Sequence, residues 1–239
     1  MNEISIYQKK ALDDYFVFMD NHPEFFKPRK LRMIIRKRDL IEEYIRKNNT
    51  FIGVLVRTPY SIFIVDLVES RDIDNKYVQY PYQRSFNQKE IKGAVNVVIL
   101  ASIKNKTSKI DEIVLVNQER HSTGEFHLEL PRGFGEIGLS GEENSMKELR
   151  EETGYIGSNS YFLGSSYTDS GTSNTKVSFY HIPIMKRINP NSDIAEPISN
   201  IELIPISKIW KKIINGEILD SFTIQALVLF EKFDKQIKK

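Results

Sequence analysis

The sequence predicts an α+β fold: a mixed sheet between helices in residues 91–239, preceded by a small α/β extension in 1–90. Three observations carry this. The segments "KGAVNVVILAS" (92–102), "EIVLVNQER" (112–120) and "EFHLEL" (125–130) are short and β-branched or alternating, as strands are. One charged helix-like segment follows at 141–153, and strand-like runs return near 160–168 and 176–185. The end of the chain gives two helices broken at Asn215–Gly216, with Asp220 or Ser221 as N-cap of the last. Strands before and after a central helix, closed by terminal helices, make a sheet covered on its faces.

The other elements follow in order. Residues 5–20 and 37–48 read as helices; in the second, Leu40, Ile41, Tyr44 and Ile45 recur at helical spacing. "NHPEFFKPR", with two prolines, is a loop. "FIGVLVRT" (51–58) and "YSIFIVDLV" (60–68) read as a hairpin, and 69–90 as a polar, tyrosine-rich connection. "KNKTSK" is a turn and "NPNSDIAEP" a loop. The stretch 27–38 holds seven basic residues in twelve, but Leu31, Ile34 and Ile35 form an apolar stripe and acids follow at Asp39, Glu42 and Glu43. It reads as a solvated basic face or an interface rather than a nucleic-acid site.

Composition narrows the chemistry. The chain is 40% hydrophobic and 28% charged with a net charge of +2, an ordinary globular balance with no call for a strongly polarised partner. Without cysteine there is no disulfide, thiolate nucleophile or thiolate metal site. His22, His121, His127 and His181 are scattered, so a metal would be held by oxygen. The start lacks a signal-peptide core and no apolar run is long enough to span a bilayer, so a cytoplasmic location is expected and no membrane partner.

The segment "PRGFGEIGLSGEENSMKELREETGYIG" (131–157) is the most informative. It reads as a glycine-rich loop feeding a helix over 141–153. Ser140 and Glu143 give a capping-box pattern, and Gly154 stops the helix. Glu148, Glu151 and Glu152 fall at i, i+3 and i+4 on one face. Like charges so placed repel by a few tenths of a kcal/mol per pair. A hard divalent cation such as Mg²⁺ or Mn²⁺ offsets that repulsion. Lys147 and Arg150 are interleaved, so simple charge compensation is the competing explanation.

In these residues the sequence resembles the Nudix hydrolase family. The family signature is Gly, five residues, Glu, seven residues, then Arg-Glu-apolar-x-Glu-Glu-x-Gly-apolar. From Gly133 it is met at Glu148, Leu149, Glu151, Glu152, Gly154 and Tyr155, and departs at Leu139 and Lys147, which stand where the family has Glu and Arg. "NQER" and "HLELPRG" upstream resemble ADP-ribose pyrophosphatases.

The resemblance implies an α/β/α sandwich that hydrolyses a nucleoside diphosphate joined to another moiety, such as ADP-ribose or an ADP-sugar, with Mg²⁺ or Mn²⁺. By position, Glu148, Glu151 and Glu152 would hold metal, helped by the Arg132 carbonyl. Arg120 and Arg132 would contact phosphate, and Glu129 would lie near nucleotide or metal. Arg84, in "YVQYPYQR", is a further candidate substrate contact, with packing in a dimer seam as the alternative, and the N-terminal extension is a candidate dimerisation element. Candidate bases are Asp169 in "YTDSGTSNTKV", Glu196 in "IAEP", and helix glutamates such as Glu151. For Asp169 the alternative is an Asx-turn.

The family pair missing at Leu139 and Lys147 supports the loop and helix, so a repacked support is expected, with Leu139 filling apolar space. The competing function is a nucleotide-sensing regulator, or a nucleic-acid binder, without turnover.

Overall fold

The computed structural model describes residues 3–104, 111–188 and 198–237. Most of the expected turn "KNKTSK" and all of the loop "NPNSDIAEP", with Glu196, lie outside them. The chain divides into two compact units: Met1–Ile91 with Thr168–Thr175, and Lys92–Tyr167 with Lys176–Lys239.

In the first unit, α1 (Ile6–Asn21) starts at Ser5, whose side chain accepts the Gln8 N–H. A short 3-10 turn at Pro23–Phe26 follows. Next come β1 (Arg32–Ile34), α2 (Arg38–Asn48), β2 (Gly53–Arg57), β3 (Ser61–Arg71), β4 (Tyr77–Asn87) and the single turn α3 (Gln88–Ile91). Strand β3 pairs antiparallel with β1, β2 and β4. Leu12, Phe18, Phe26, Ile41, Ile52, Ile64 and Phe86 lie in one buried cluster.

Two expectations are corrected here. Residues 69–90 are not a connection. Strand β3 continues to Arg71, Asp72 turns the chain by accepting the Asp74 and Lys76 N–H groups, and β4 returns along all of β3. The strand was hidden because its residues are polar and Pro81 interrupts them. Beside Pro81, opposite Leu67, β4 pairs only with β3 among the described residues, so no N–H is missed there. The basic stretch 27–38 contributes β1 instead of a continuous apolar stripe: Ile34 and Ile35 pack on the core while Leu31 is exposed.

A charge cluster lies inside this unit. Asp66, which is 1% exposed, accepts from Tyr15 Oη at 2.6 Å, Arg84 Nε at 2.5 Å and Arg84 Nη2 at 3.0 Å. Arg84 Nη1 donates to the Phe25 carbonyl at 2.9 Å, and the guanidinium lies over Phe26 and Phe86. Burial, then the Asp66 charge, pushes the Tyr15 hydroxyl pKa well up.

The second unit holds β5 (Asn96–Lys104), β6 (Asp111–Arg120), β7 (Glu125–Glu129), β8 (Arg132–Gly133), α4 (Gly141–Thr153), β9 (Tyr155–Gly157), β10 (Tyr161–Tyr167), β11 (Lys176–Arg187), β12 (Ile198–Pro205), α5 (Ile206–Ile214) and α6 (Ser221–Ile237). The sheet runs β10-β11-β5-β6-β12, with β7 on β6, β8 on β5 and β9 on β11. The β11–β5 pair is parallel and the others antiparallel, so the sheet is mixed.

Alternation along β5 makes the layers. Val98 and Leu100 face a cluster with Ile209, Ala226, Leu227 and Phe230 of α5 and α6. Val97, Ile99 and Ala101 face a cluster with Leu149 of α4. That is the α/β/α arrangement the sequence predicts. Strand β12 is absent from the sequence reading because the apolar residues of "ISNIELIP" do not alternate strictly and the strand is only partly buried.

Removing Asp66 leaves a buried guanidinium unpaired, so Asp66→Ala should destabilise the chain by about 3–5 kcal/mol in chemical denaturation. A loss below about 1 kcal/mol would show that the cluster does not hold this unit.

Candidate active site

The site forms where the chain leaves β7 and runs beside α4. Helix α4 is fixed at both ends. Ser140 Oγ accepts the Glu143 N–H at 3.2 Å, and Glu143 Oε2 accepts the Ser140 N–H at 2.9 Å. Gly154 ends the helix at φ +70°. Between β7 and α4, β8 pairs with β5 as Arg132↔Val98 and Gly133↔Val97, and the Ile99 N–H donates to the Pro131 carbonyl at 2.9 Å.

This pairing brings backbone against two of the three glutamates. A Cβ at Gly133 would overlap the Glu148 carboxyl where it now lies, so a side chain there would make the end of Glu148 shift. Gly135 is confined more firmly, by the backbone of Ala94 and Val95. One turn along α4, Glu152 Oε2 accepts the Arg132 N–H at 3.2 Å and is buried. Glu151 differs: its carboxylate is half exposed and bound by Lys147 Nζ at 2.5 Å.

Beside these lies an alternating row of charges. Glu129, 1% exposed, is paired with Arg120 Nη2 through one oxygen and with Arg132 Nη2 at 3.2 Å through the other. Arg132 Nη1 reaches Asp220 Oδ1 at 3.2 Å, and its guanidinium lies 5.1 Å from the Phe222 ring centre. Burial raises the Glu129 carboxyl pKa, against the lowering pull of Arg120 and Arg132. The two arginines are thus held in fixed positions by carboxylates.

The expected repacked support takes a form the sequence reading missed. Leu139 is only partly buried. Lys147 ties the loop to the helix itself, bonding Glu136 Oε1 at 3.0 Å as well as Glu151. Burial lowers the Lys147 pKa, but Glu151 and Glu136 override it and hold it above its ordinary value. The loop has one carboxylate, Glu136, and a cation at 147; that was the available signal.

Two further candidates lie in the first unit. Arg84 has its fork engaged by Asp66 and Phe25 as described. Asp169 belongs to that unit too and caps its own turn: Oδ1 accepts the Gly171 N–H at 2.9 Å and Oδ2 the Thr172 hydroxyl at 2.6 Å. Those bonds, Thr172 first, lower its pKa. That is the Asx-turn alternative in structural form. His127 shares a hydrogen bond with Thr123 at 2.8 Å.

Among the described residues no three acids or histidines converge as a preformed metal cage. The donor set still suits a hard cation. Glu148 and Glu152 flank the Arg132–Gly133 backbone, all donors are oxygen, and Mg²⁺ usually takes only one or two carboxylates and fills its sphere with water and phosphate.

Residues 92–222 match the family model of the NUDIX domain. The chain belongs to the Nudix family. Among curated relatives, the Saccharomyces cerevisiae ADP-ribose pyrophosphatase is 28% identical over 110 residues, covering 46% of each chain. The mouse ADP-sugar pyrophosphatase is 35% identical over 81 residues, covering 34% of this chain and 37% of its own. The matched region therefore spans about half or less of those relatives' lengths. A crystal structure of an ADP compounds hydrolase shares the fold, with a TM-score of 0.61 at 15% identity, covering 88% of this chain and 97% of that one. Within this Nudix chain the signature glutamates sit on α4 as the family pattern requires, while its loop-to-helix tie runs through Glu136.

That tie is partly exposed, so its worth is modest. A double-mutant cycle of Glu136→Gln and Lys147→Met should give a coupling of about 0.2–1 kcal/mol in denaturant unfolding. Zero coupling would mean that the two side chains do not support each other.

Proposed function

We propose that this Nudix chain hydrolyses the diphosphate of a nucleoside diphosphate joined to another moiety, with ADP-ribose or an ADP-sugar as substrate class. The observation that carries the reading is the packing of Glu148 and Glu152 onto the Arg132–Gly133 backbone beside two anchored arginines. The yeast ADP-ribose pyrophosphatase and the mouse ADP-sugar pyrophosphatase point the same way.

Each residue then has a role. Arg120 and Arg132 bind the diphosphate oxygens, and Glu129 fixes both guanidiniums for that purpose. Glu148, Glu152 and the Arg132 carbonyl would hold Mg²⁺ or Mn²⁺. Such a cation neutralises phosphate charge and acidifies water. Glu151, the exposed member of the helix face, joins as a further ligand or accepts the water proton once freed from Lys147. Water adds to phosphorus and the bridging P–O bond breaks. The products are a nucleoside monophosphate and a phosphorylated remainder. The committed carboxylate of Asp169 makes it the weaker base.

The test is turnover of ADP-ribose and ADP-sugars with millimolar Mg²⁺, in wild type and Glu152→Gln. Glutamine keeps an oxygen to accept the Arg132 N–H, so the fold should survive, while kcat should fall at least about a hundredfold. Unchanged turnover in the variant removes the metal role of Glu152. Absence of turnover in wild type, with nucleotide binding retained, gives a sensing function instead.

A further inference from the structure

The first turn of α6 reaches the same backbone segment that Glu152 of α4 meets. Asp220 Oδ2 accepts the Thr223 N–H at 2.8 Å and the Thr223 hydroxyl at 2.7 Å, which makes Asp220 the N-cap of α6. Its other oxygen holds Arg132 Nη1 at 3.2 Å. Thr223 Oγ1, fully buried, accepts the Leu130 N–H at 3.0 Å. Phe222 supplies the ring beneath the Arg132 guanidinium, 5.1 Å from its centre. One helical turn therefore grips both the backbone before Arg132 and the Arg132 side chain.

We infer that Asp220 is a positioning residue for diphosphate binding: it aims the Arg132 guanidinium at the phosphates while capping α6. The inference rests on the proposed hydrolase reading. The physical reason is geometric. Glu129 alone holds Arg132 through one nitrogen, Nη2, and leaves the fork free to turn. Asp220 binds a second nitrogen, Nη1, and Phe222 fixes the plane. A guanidinium held at two nitrogens over a ring presents its remaining donors in one direction, and a planar fork recognises phosphate only when so oriented.

The test uses the full chain and three variants. Serine is an equally good N-cap but is too short to reach Arg132, so Asp220→Ser separates capping from positioning. Its KM for ADP-ribose should rise about tenfold with kcat nearly unchanged, the mark of lost uniform binding. Asp220→Asn keeps a neutral acceptor for Arg132 and should fall between. In NMR spectra, the slowed guanidinium rotation of Arg132, identified by loss of its signal in Arg132→Lys, should disappear in Asp220→Ser. An unchanged KM in Asp220→Ser, or an unchanged Arg132 signal, overturns the inference. If wild type cleaves no diphosphate, the hydrolase reading has failed. The Arg132 signal, which needs no substrate, still shows whether Asp220 positions that side chain.

Discussion

Two carboxylates of α4 are pressed against a stretch of backbone that has no side chain at its point of closest approach. Gly133 makes this contact, and the rest of the second unit is arranged to keep it. Strand β8 is pinned by β5, the Arg132 N–H is bound by Glu152, and α4 is closed at one end by a capping box and at the other by Gly154. A side chain at 133 would push Glu148 off the segment. Backbone at that position leaves its polar groups beside two acids, which is the setting a hard cation needs.

The three glutamates of one helix face do not share one fate. Glu152 is buried and bonded to backbone, Glu148 lies against Gly133, and Glu151 is half exposed and paired with Lys147. One helix face therefore presents three carboxylates in three different environments. The neighbouring row Arg120–Glu129–Arg132–Asp220 alternates in sign, which lets two cations stand close together in a partly buried place. The result is a surface where carboxylates and guanidiniums adjoin, as a diphosphate with bound metal requires.

Much of this could be read from sequence where the signal is local. The α4 boundaries follow from Ser140, Glu143 and Gly154, and the buried strands β5 and β6 from their apolar runs. Elements whose own pattern is weak and that only a pairing defines could not be read. Strand β4 is polar and carries Pro81, and only its pairing with β3 makes it a strand. Strand β12 is likewise defined by β6. The same holds in the site. Glu136 and Lys147 are eleven positions apart and Arg132 and Asp220 eighty-eight, and no periodicity links either pair. Arg84 attracted a substrate role because its sequence neighbours are tyrosines, whereas Asp66 and Phe25 engage it inside the first unit. Asp169 shows the converse: a Ser/Gly-rich loop foretold an Asx-turn, and its carboxylate forms one.

The most direct measurement is anomalous diffraction at the manganese edge from crystals soaked with Mn²⁺ and a non-hydrolysable ADP-ribose analogue. The predicted result is manganese bound by Glu148, Glu152 and the Arg132 carbonyl, with the diphosphate between the metal and Arg120 and Arg132. A diphosphate bound elsewhere, or manganese with no contact to α4, would contradict the account.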